Sequence, residues 1–199
     1  MATFALFGTS ADPPTVGHQE ILLALAARYD RVLVWAVENP FKQGQTSLND
    51  RQQMLGLLVR AVNAAGSSVE WRPDLSRRFT VDSVQRVRQQ WPEAELVVVI
   101  GSDIVPSLLH WHCVDRLFSL ASFLVVPRPG SPVEESELLV CRARGARIVM
   151  ADFRGLPVSS SAVRAGSGTD AVPQEVWEYI WAHQLYGVNH EQAAAQRAG

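Results

Sequence analysis

The residues with the clearest chemical potential stand at positions 8–18, which read G-T-S-A-D-P-P-T-V-G-H. A short apolar segment gives way there to a Gly/Ser/Asp/Pro-rich loop, and Thr15-Val16-Gly17-His18 lies where that loop meets a helical pattern. The first amide N–H groups of a helix lack intrahelical acceptors, and the helix dipole adds positive potential, so such a junction binds anions, phosphate above all. Gly8 permits close backbone approach, Ser10 and Thr15 offer hydroxyls, and Gly17 lets His18 come up to a phosphate without a crowding side chain. His18 adds a hydrogen-bond donor and a proton that moves near neutral pH. Taken alone, the tetrapeptide is also compatible with a helix capped by Ser10 or Asp12 and a histidine on the surface.

A second segment of the same character, residues 158–164, reads V-S-S-S-A-V-R. Ser159, Ser160 and Ser161 can cap a helix while their hydroxyls and the helix amides receive phosphate oxygens. Arg164 follows one turn later with a planar, permanently charged fork suited to the same anion. The bland alternative is a serine-rich cap with a solvated arginine.

The elements that must position these groups follow from the hydropathy pattern. Residues 2–7 form a strand, residues 19–29 a helix, and residues 31–37 a second strand, which predicts a right-handed βαβ crossover. A helix is expected over 48–65, capped by Ser47 or Asn49, with Met54, Leu55, Leu58, Val59 and Val62 at helical spacing. Strand 68–71 and helix 81–90, ended by Pro92, lead to the apolar strand 95–100. Helix 114–120, strands 122–126 and 147–150, and helices 160–165 and 173–183 complete the pattern. Strands buried on both faces and alternating with helices predict an α/β fold, a doubly wound parallel sheet, with ligands at the carboxyl ends of strands near a switch in strand order.

The chain of 199 residues fits one domain, expected over 1–187, with 188–199 as a flexible tail. With 18 Lys+Arg against 20 Asp+Glu and no long block of one sign, nothing marks a nucleic acid or an anionic membrane as partner. Cys113 and Cys141 sit in no CxxC or His/Cys cluster, which argues against a disulfide framework or a structural zinc. No basic-apolar leader opens the sequence and no apolar run has spanning length, so a cytoplasmic location is expected.

The run from Gly8 resembles the first motif of the nucleotidyltransferase superfamily with an (H/T)xGH signature, whose sheet is Rossmann-like. More narrowly it resembles the bacterial nicotinate-mononucleotide adenylyltransferases, where the motif reads approximately GGxFDPxHxGH. Gly8, Asp12, Pro13, Gly17 and His18 match; Thr9 replaces the second glycine, Ala11 the phenylalanine and Thr15 the first histidine. Thr9 is the awkward exchange, since a β-branched residue disfavours any positive φ that the glycine used. The segment from Val158 to Arg164 is similar to the family's (I/V)SSTxxR, and residues 173–187 to its closing helix and Leu-Tyr ending. Two distant motifs in the right order weigh more than either alone.

The resemblance implies roles for individual residues. His18, Thr15, Lys42 and Arg164 are expected to be catalytic. Gly8, Thr9, Ser10, Gly17, His18, Gly101, Asp103, Ser159, Ser160, Ser161 and Arg164 are expected around ATP. Lys42 falls in the loop after the second strand, where the family carries a phosphate-binding basic residue. Gly101-Ser102-Asp103 is similar to the family's GxD, the carboxylate accepting from ribose hydroxyls. Ser10, Lys42, Thr80 and Trp111 are expected around the mononucleotide, Thr80 beside its carboxylate and Trp111 against the pyridine ring. Asp103 as a helix cap and Trp111 as a core aromatic are the alternatives, and Arg128 in an RPG-like turn is undecided between structure and binding.

The implied reaction adenylylates a pyridine mononucleotide with ATP. Mg²⁺ comes with ATP, and no protein metal cage is needed. A sibling enzyme acting on phosphopantetheine or a polyol phosphate, a preference for the amide mononucleotide, and a nonenzymatic nucleotide-binding regulator stand beside it, and a homo-oligomer is left open.

Overall fold

The apolar segments assemble as one parallel sheet in the computed structural model, which describes residues 1–38 and 44–188. Its strands are β1 (Thr3–Thr9), β2 (Arg31–Ala36), β3 (Val69–Trp71), β4 (Glu95–Gly101), β5 (Ser122–Val126) and β6 (Ile148–Met150), in the order β3-β2-β1-β4-β5-β6. All five neighbouring pairs are parallel. Eight helices accompany them among the described residues: α1 (Val16–Ala26), α2 (Leu48–Ala64), α3 (Thr80–Gln90), α4 (Val105–Leu108), α5 (Val114–Leu120), α6 (Glu135–Ala143), α7 (Ser160–Arg164) and α8 (Gln174–Ala182).

The two faces of the sheet bury separate cores, which explains strands that are apolar throughout rather than alternating. Phe4 and Leu6 of β1 point to one face, with Val84 and Val87 of α3, Leu117 and Phe118 of α5, and Leu138 of α6. Ala5 and Phe7 point to the other, with Leu22 and Leu25 of α1, Met54, Leu55 and Leu58 of α2, Val163 of α7 and Val176, Trp177 and Ile180 of α8. Each fully buried leucine or valine of these clusters contributes about 1.5–3 kcal/mol, so neither face could be left bare. The chain winds from β1 outward to β3, then returns to place β4 on the other side of β1. That reversal opens a crevice between the carboxyl ends of β1 and β4, where ligands bind in such sheets.

The fold matches the doubly wound expectation, with local differences. Ser47 is the cap of α2: its Oγ accepts from the Asp50 N–H at 3.1 Å, and Asn49 is inside the helix. Helix α1 begins at Val16, ahead of the expected position 19, because Thr15 and His18 supply its cap. Helix α6 was not expected; Leu139 and Val140 are exposed, so its apolar residues do not form a single stripe. No helix of the described residues is long and apolar enough to cross a membrane. Lys42 and, past Val188, the expected tail lie outside the described residues.

Candidate active site

A cleft of about 1010 Å³ opens at the carboxyl ends of β1, β4 and β5. Gly8, Thr9, Ser10, Thr15, Gly17 and His18 line it from the first loop, Gly101 and Asp103 from the end of β4, and Thr80 and Trp111 from the start of α3 and the segment after α4. Ser159, Ser160, Ser161 and Arg164 line it from α7. Of the site residues expected from the sequence, Lys42 alone is missing from this description.

Thr15 is the N-cap of α1, so neither Ser10 nor Asp12 caps it. The Thr15 N–H donates to His18 Nδ1 at 3.1 Å, and Thr15 Oγ1 lies 2.9 Å from the same nitrogen. A backbone N–H can only donate, so Nδ1 is the acceptor and the neutral imidazole carries its hydrogen on Nε2. His18 Nε2 stands 3.1 Å from Thr9 Oγ1. Burial, with the Arg128 charge adding to it, pulls the His18 pKa down to about 4. His18 is therefore a neutral donor at neutral pH, not a cation.

The loop between β1 and α1 takes its strain at Ala11, where φ is +45°, and not at Thr9. Thr9 continues β1, paired with Ala36, and its carbonyl accepts from the Val37 N–H at 2.8 Å. The concern that a threonine would clash with a glycine-type backbone is thereby removed: the positive φ falls on a small residue two positions on.

Asp12 is fully buried and works inside the protein. One carboxylate oxygen accepts from the Tyr186 hydroxyl at 2.7 Å and the other from the Thr46 N–H at 3.3 Å. Arg51, only 3% exposed, donates to the carbonyls of Ser10 at 3.0 Å, Val37 at 2.8 Å and Thr46 at 3.0 Å. It ties the first loop to the segments on either side of residues 39–43. Burial, the hydrogen bond to Asp12 and its charge raise the Tyr186 pKa well above the usual phenol value. Arg51 was not found from the sequence, and Tyr186 only as part of the Leu-Tyr ending, without this role. Arg51 does carry a signal, because it falls on the same stripe as Leu55, Leu58 and Val62, a charge in line with core residues.

The first loop and the segment 158–164 are joined directly. Ser159 caps α7, accepting from the Ala162 N–H at 3.1 Å. Ser160 Oγ donates to the Pro13 carbonyl at 2.7 Å. Arg164 donates to the Asp12 carbonyl and, at 3.1 Å, to Ser161 Oγ, so it is not the freely solvated side chain of the bland alternative. Gly17 packs so closely on this segment that a Cβ there would meet Val158 Cγ2 at 2.8 Å. At the end of β4, Asp103 pairs with Arg128 at 3.1 Å, and the Arg128 N–H donates to Ser102 Oγ at 2.9 Å. Gly101 makes room for that pair, since a Cβ would press on Asp103 Oδ1 and come within 2.8 Å of Arg128 Cδ. Asp103 caps no helix; Gly101 holds that position for the short turn that follows. Thr80 opens α3 behind Phe79, whose ring stacks on His112 at 4.1 Å, and Trp111 is partly buried against the core while it lines the cleft. Among the described residues no group of three or more His, Cys, Asp or Glu is placed to hold a metal ion.

Comparison with known proteins places this arrangement. The cytidylyltransferase-like family model matches residues 6–166. A Synechocystis protein named a probable nicotinate-nucleotide adenylyltransferase is 38% identical over 195 residues, covering 92% of this chain and 98% of its own length. A Gemmatimonas aurantiaca protein of the same name is 36% identical, covering 91% and 90%. The chain belongs to the nicotinate-nucleotide adenylyltransferase family. In fold it is similar to the Plasmodium falciparum nicotinic acid mononucleotide adenylyltransferase complexed with NaAD, with a TM-score of 0.79 at 17% identity over 95% of this chain and 99% of that one. Within the nicotinate-nucleotide adenylyltransferase family pattern, the glycine and histidine of the first motif are here Thr9 and Thr15, and the two hydroxyls stand at opposite nitrogens of His18.

Proposed function

We propose that this protein transfers the adenylyl group of ATP to nicotinate mononucleotide, giving deamido-NAD and pyrophosphate. The observation that carries the reading is the direct joining of the two phosphate-binding segments beside one cleft, through Ser160 to Pro13 and Arg164 to Asp12. The family names of the Synechocystis and G. aurantiaca relatives support the acid mononucleotide as acceptor.

An oxygen of the acceptor's 5′-phosphate forms a bond to the α-phosphorus of ATP while the bond from that phosphorus to the oxygen bridging to the β-phosphate breaks. Pyrophosphate leaves with the electron pair, and no covalent enzyme intermediate is needed. The protein therefore positions and neutralises. His18 donates through Nε2–H to the α-phosphate region, and Thr15, whose N–H and hydroxyl both stand at Nδ1, orients the ring for it. Arg164, Lys42 and the hydroxyls of Ser159 and Ser161 hold the β- and γ-phosphates, while Ser160, its hydrogen given to the Pro13 carbonyl, fixes the segment against the first loop. Gly8, Thr9, Ser10 and Gly17 shape the backbone around ATP, Ser10 facing the acceptor phosphate as well. Asp103, steadied by Arg128, accepts from ribose hydroxyls beside Gly101. Thr80 and Trp111 receive the pyridine end. Mg²⁺ enters as part of the ATP substrate, on phosphate oxygens, and lowers the charge that the side chains must offset.

Purified protein incubated with ATP, Mg²⁺ and a panel of phosphate acceptors, with products identified by mass, tests the assignment. Deamido-NAD and pyrophosphate are the expected products; another adduct moves the enzyme to a sibling activity, and no product removes the enzymatic reading. His18→Ala should lower kcat by ~10²-fold in a folded protein.

A further inference from the structure

Thr9 is where this chain departs from the glycine of its family pattern, and the departure places a hydroxyl 3.1 Å from His18 Nε2. We propose that Thr9 is a positioning residue for the reaction above: its Oγ1 accepts the Nε2–H of His18, holds the imidazole plane across the cleft and hands that hydrogen to an incoming phosphate oxygen.

The argument begins at the opposite nitrogen. The Thr15 N–H occupies Nδ1 at 3.1 Å, which leaves Nε2 as the ring's one donor. The contacts at Nδ1, from the Thr15 N–H and Oγ1, fix the protonation site but hold the ring at one edge alone. A second bond at Nε2 fixes the plane. Thr9 is suited to supply it, because it ends β1 in ladder register with Ala36 and its carbonyl accepts from the Val37 N–H at 2.8 Å. Its χ1 is stiff, as for any β-branched residue, so the hydroxyl is carried by the sheet rather than by the loop. When Oγ1 accepts from Nε2–H, its own hydrogen is free to point into the cleft that both residues line. A phosphate oxygen arriving there would meet Oγ–H directly and take over Nε2–H by replacing Oγ1 as its acceptor. The glycine–histidine pair of the family pattern is replaced by two threonines gripping opposite edges of one ring, and the loop's positive φ has moved to Ala11.

The test uses the full chain and two independent measurements, since the proposal rests on the adenylyltransferase reading. In the ligand-free protein at neutral pH, the His18 Hε2 proton should give an observable ¹H–¹⁵N correlation, protected from exchange by Thr9. Thr9→Val, which keeps the shape and removes the hydroxyl, should lose that signal, and Thr9→Ser should restore it. In turnover, Thr9→Val should lower kcat by about 10-fold with KM within about 3-fold, and Thr9→Ser should recover most of the loss. Parental kcat in a verified Thr9→Val protein, or an Hε2 signal that survives it, overturns the assignment. If the parent protein forms no deamido-NAD, the functional reading fails, while the ligand-free spectra still decide whether Thr9 holds the ring.

Discussion

A single methyl group at Gly17 should separate the two halves of the site. An ideal Cβ there lies 2.8 Å from Val158 Cγ2, about 0.6 Å inside ordinary contact, and 3.4 Å from Thr15 Oγ1. Gly17 sits in the first turn of α1, next to His18, and Val158 precedes the cap of α7. The methyl must therefore push α7 away from the first loop, or tilt α1 and with it the histidine. Overpacking costs roughly 1–3 kcal/mol, and alanine's better helix propensity returns up to about 1 kcal/mol, so the net loss of stability is about 0–3 kcal/mol and the protein stays folded. Catalysis is more sensitive, because a misplacement of about 1 Å can cost ~10²-fold. Gly17→Ala should therefore lower kcat/KM by about 10- to 100-fold, measured as pyrophosphate release. Val158→Ala removes the group struck, and the double variant Gly17→Ala/Val158→Ala should recover at least about 10-fold, a coupling of about 1.4 kcal/mol. Full activity in Gly17→Ala, or no recovery in the double variant, would refute the contact between motifs as the cause.

Three further outcomes follow from the same geometry. Arg51→Met leaves the carbonyls of Ser10, Val37 and Thr46 without their buried donor and should lower unfolding free energy by about 3 kcal/mol or more in urea titration; an unchanged midpoint would show that the arginine is dispensable. Tyr186→Phe removes the hydroxyl bonded to Asp12 and should cost about 1–2 kcal/mol by the same measurement, and a loss below about 0.3 kcal/mol would count against the closing segment as an anchor of the loop. Stability should also fall with acid: an unfolded histidine takes up its proton near pH 6.5 while native His18 resists down to about 4, so in that window the unfolded state binds more protons. With the ring half-buried, the loss attributable to His18 is about 2 kcal/mol between pH 7 and pH 4, and a His18→Asn variant with the same acid slope as the parent would contradict it.

The fold was legible because its strands are apolar on both faces and its helices carry one-sided stripes. The run from Glu95 to Ile100 has no other home than the middle of a parallel sheet, and it lies beside β1 at the switch in strand order. What escaped had no local pattern to show. Helix α6 follows a proline-containing loop and exposes Leu139 and Val140, so its residues mimic an irregular segment. The start of α1 was placed late because its capping partner is a histidine rather than the acidic or amide residue of a usual capping box.

The site divides along the same line, between the two motif segments that line the cleft and the residues that hold them in place. Thr15, Gly17, His18 and the serines of α7 belong to two short segments whose types announce anion binding, and the described structure brings them to one cleft. Their supports are long-range. Tyr186 reaches Asp12 across nearly the whole chain, and Arg51 reaches Ser10 from inside α2. Neither residue type implies such a partner, although a charge on the stripe of Leu55, Leu58 and Val62 is a mismatch that demands one. Thr9 shows the limit of reading a departure from a motif as a defect. The sequence offers a β-branched residue where glycine is usual, and only the backbone reveals that the strand continues through it, that Ala11 takes the positive φ, and that the extra hydroxyl faces the one donor nitrogen of His18.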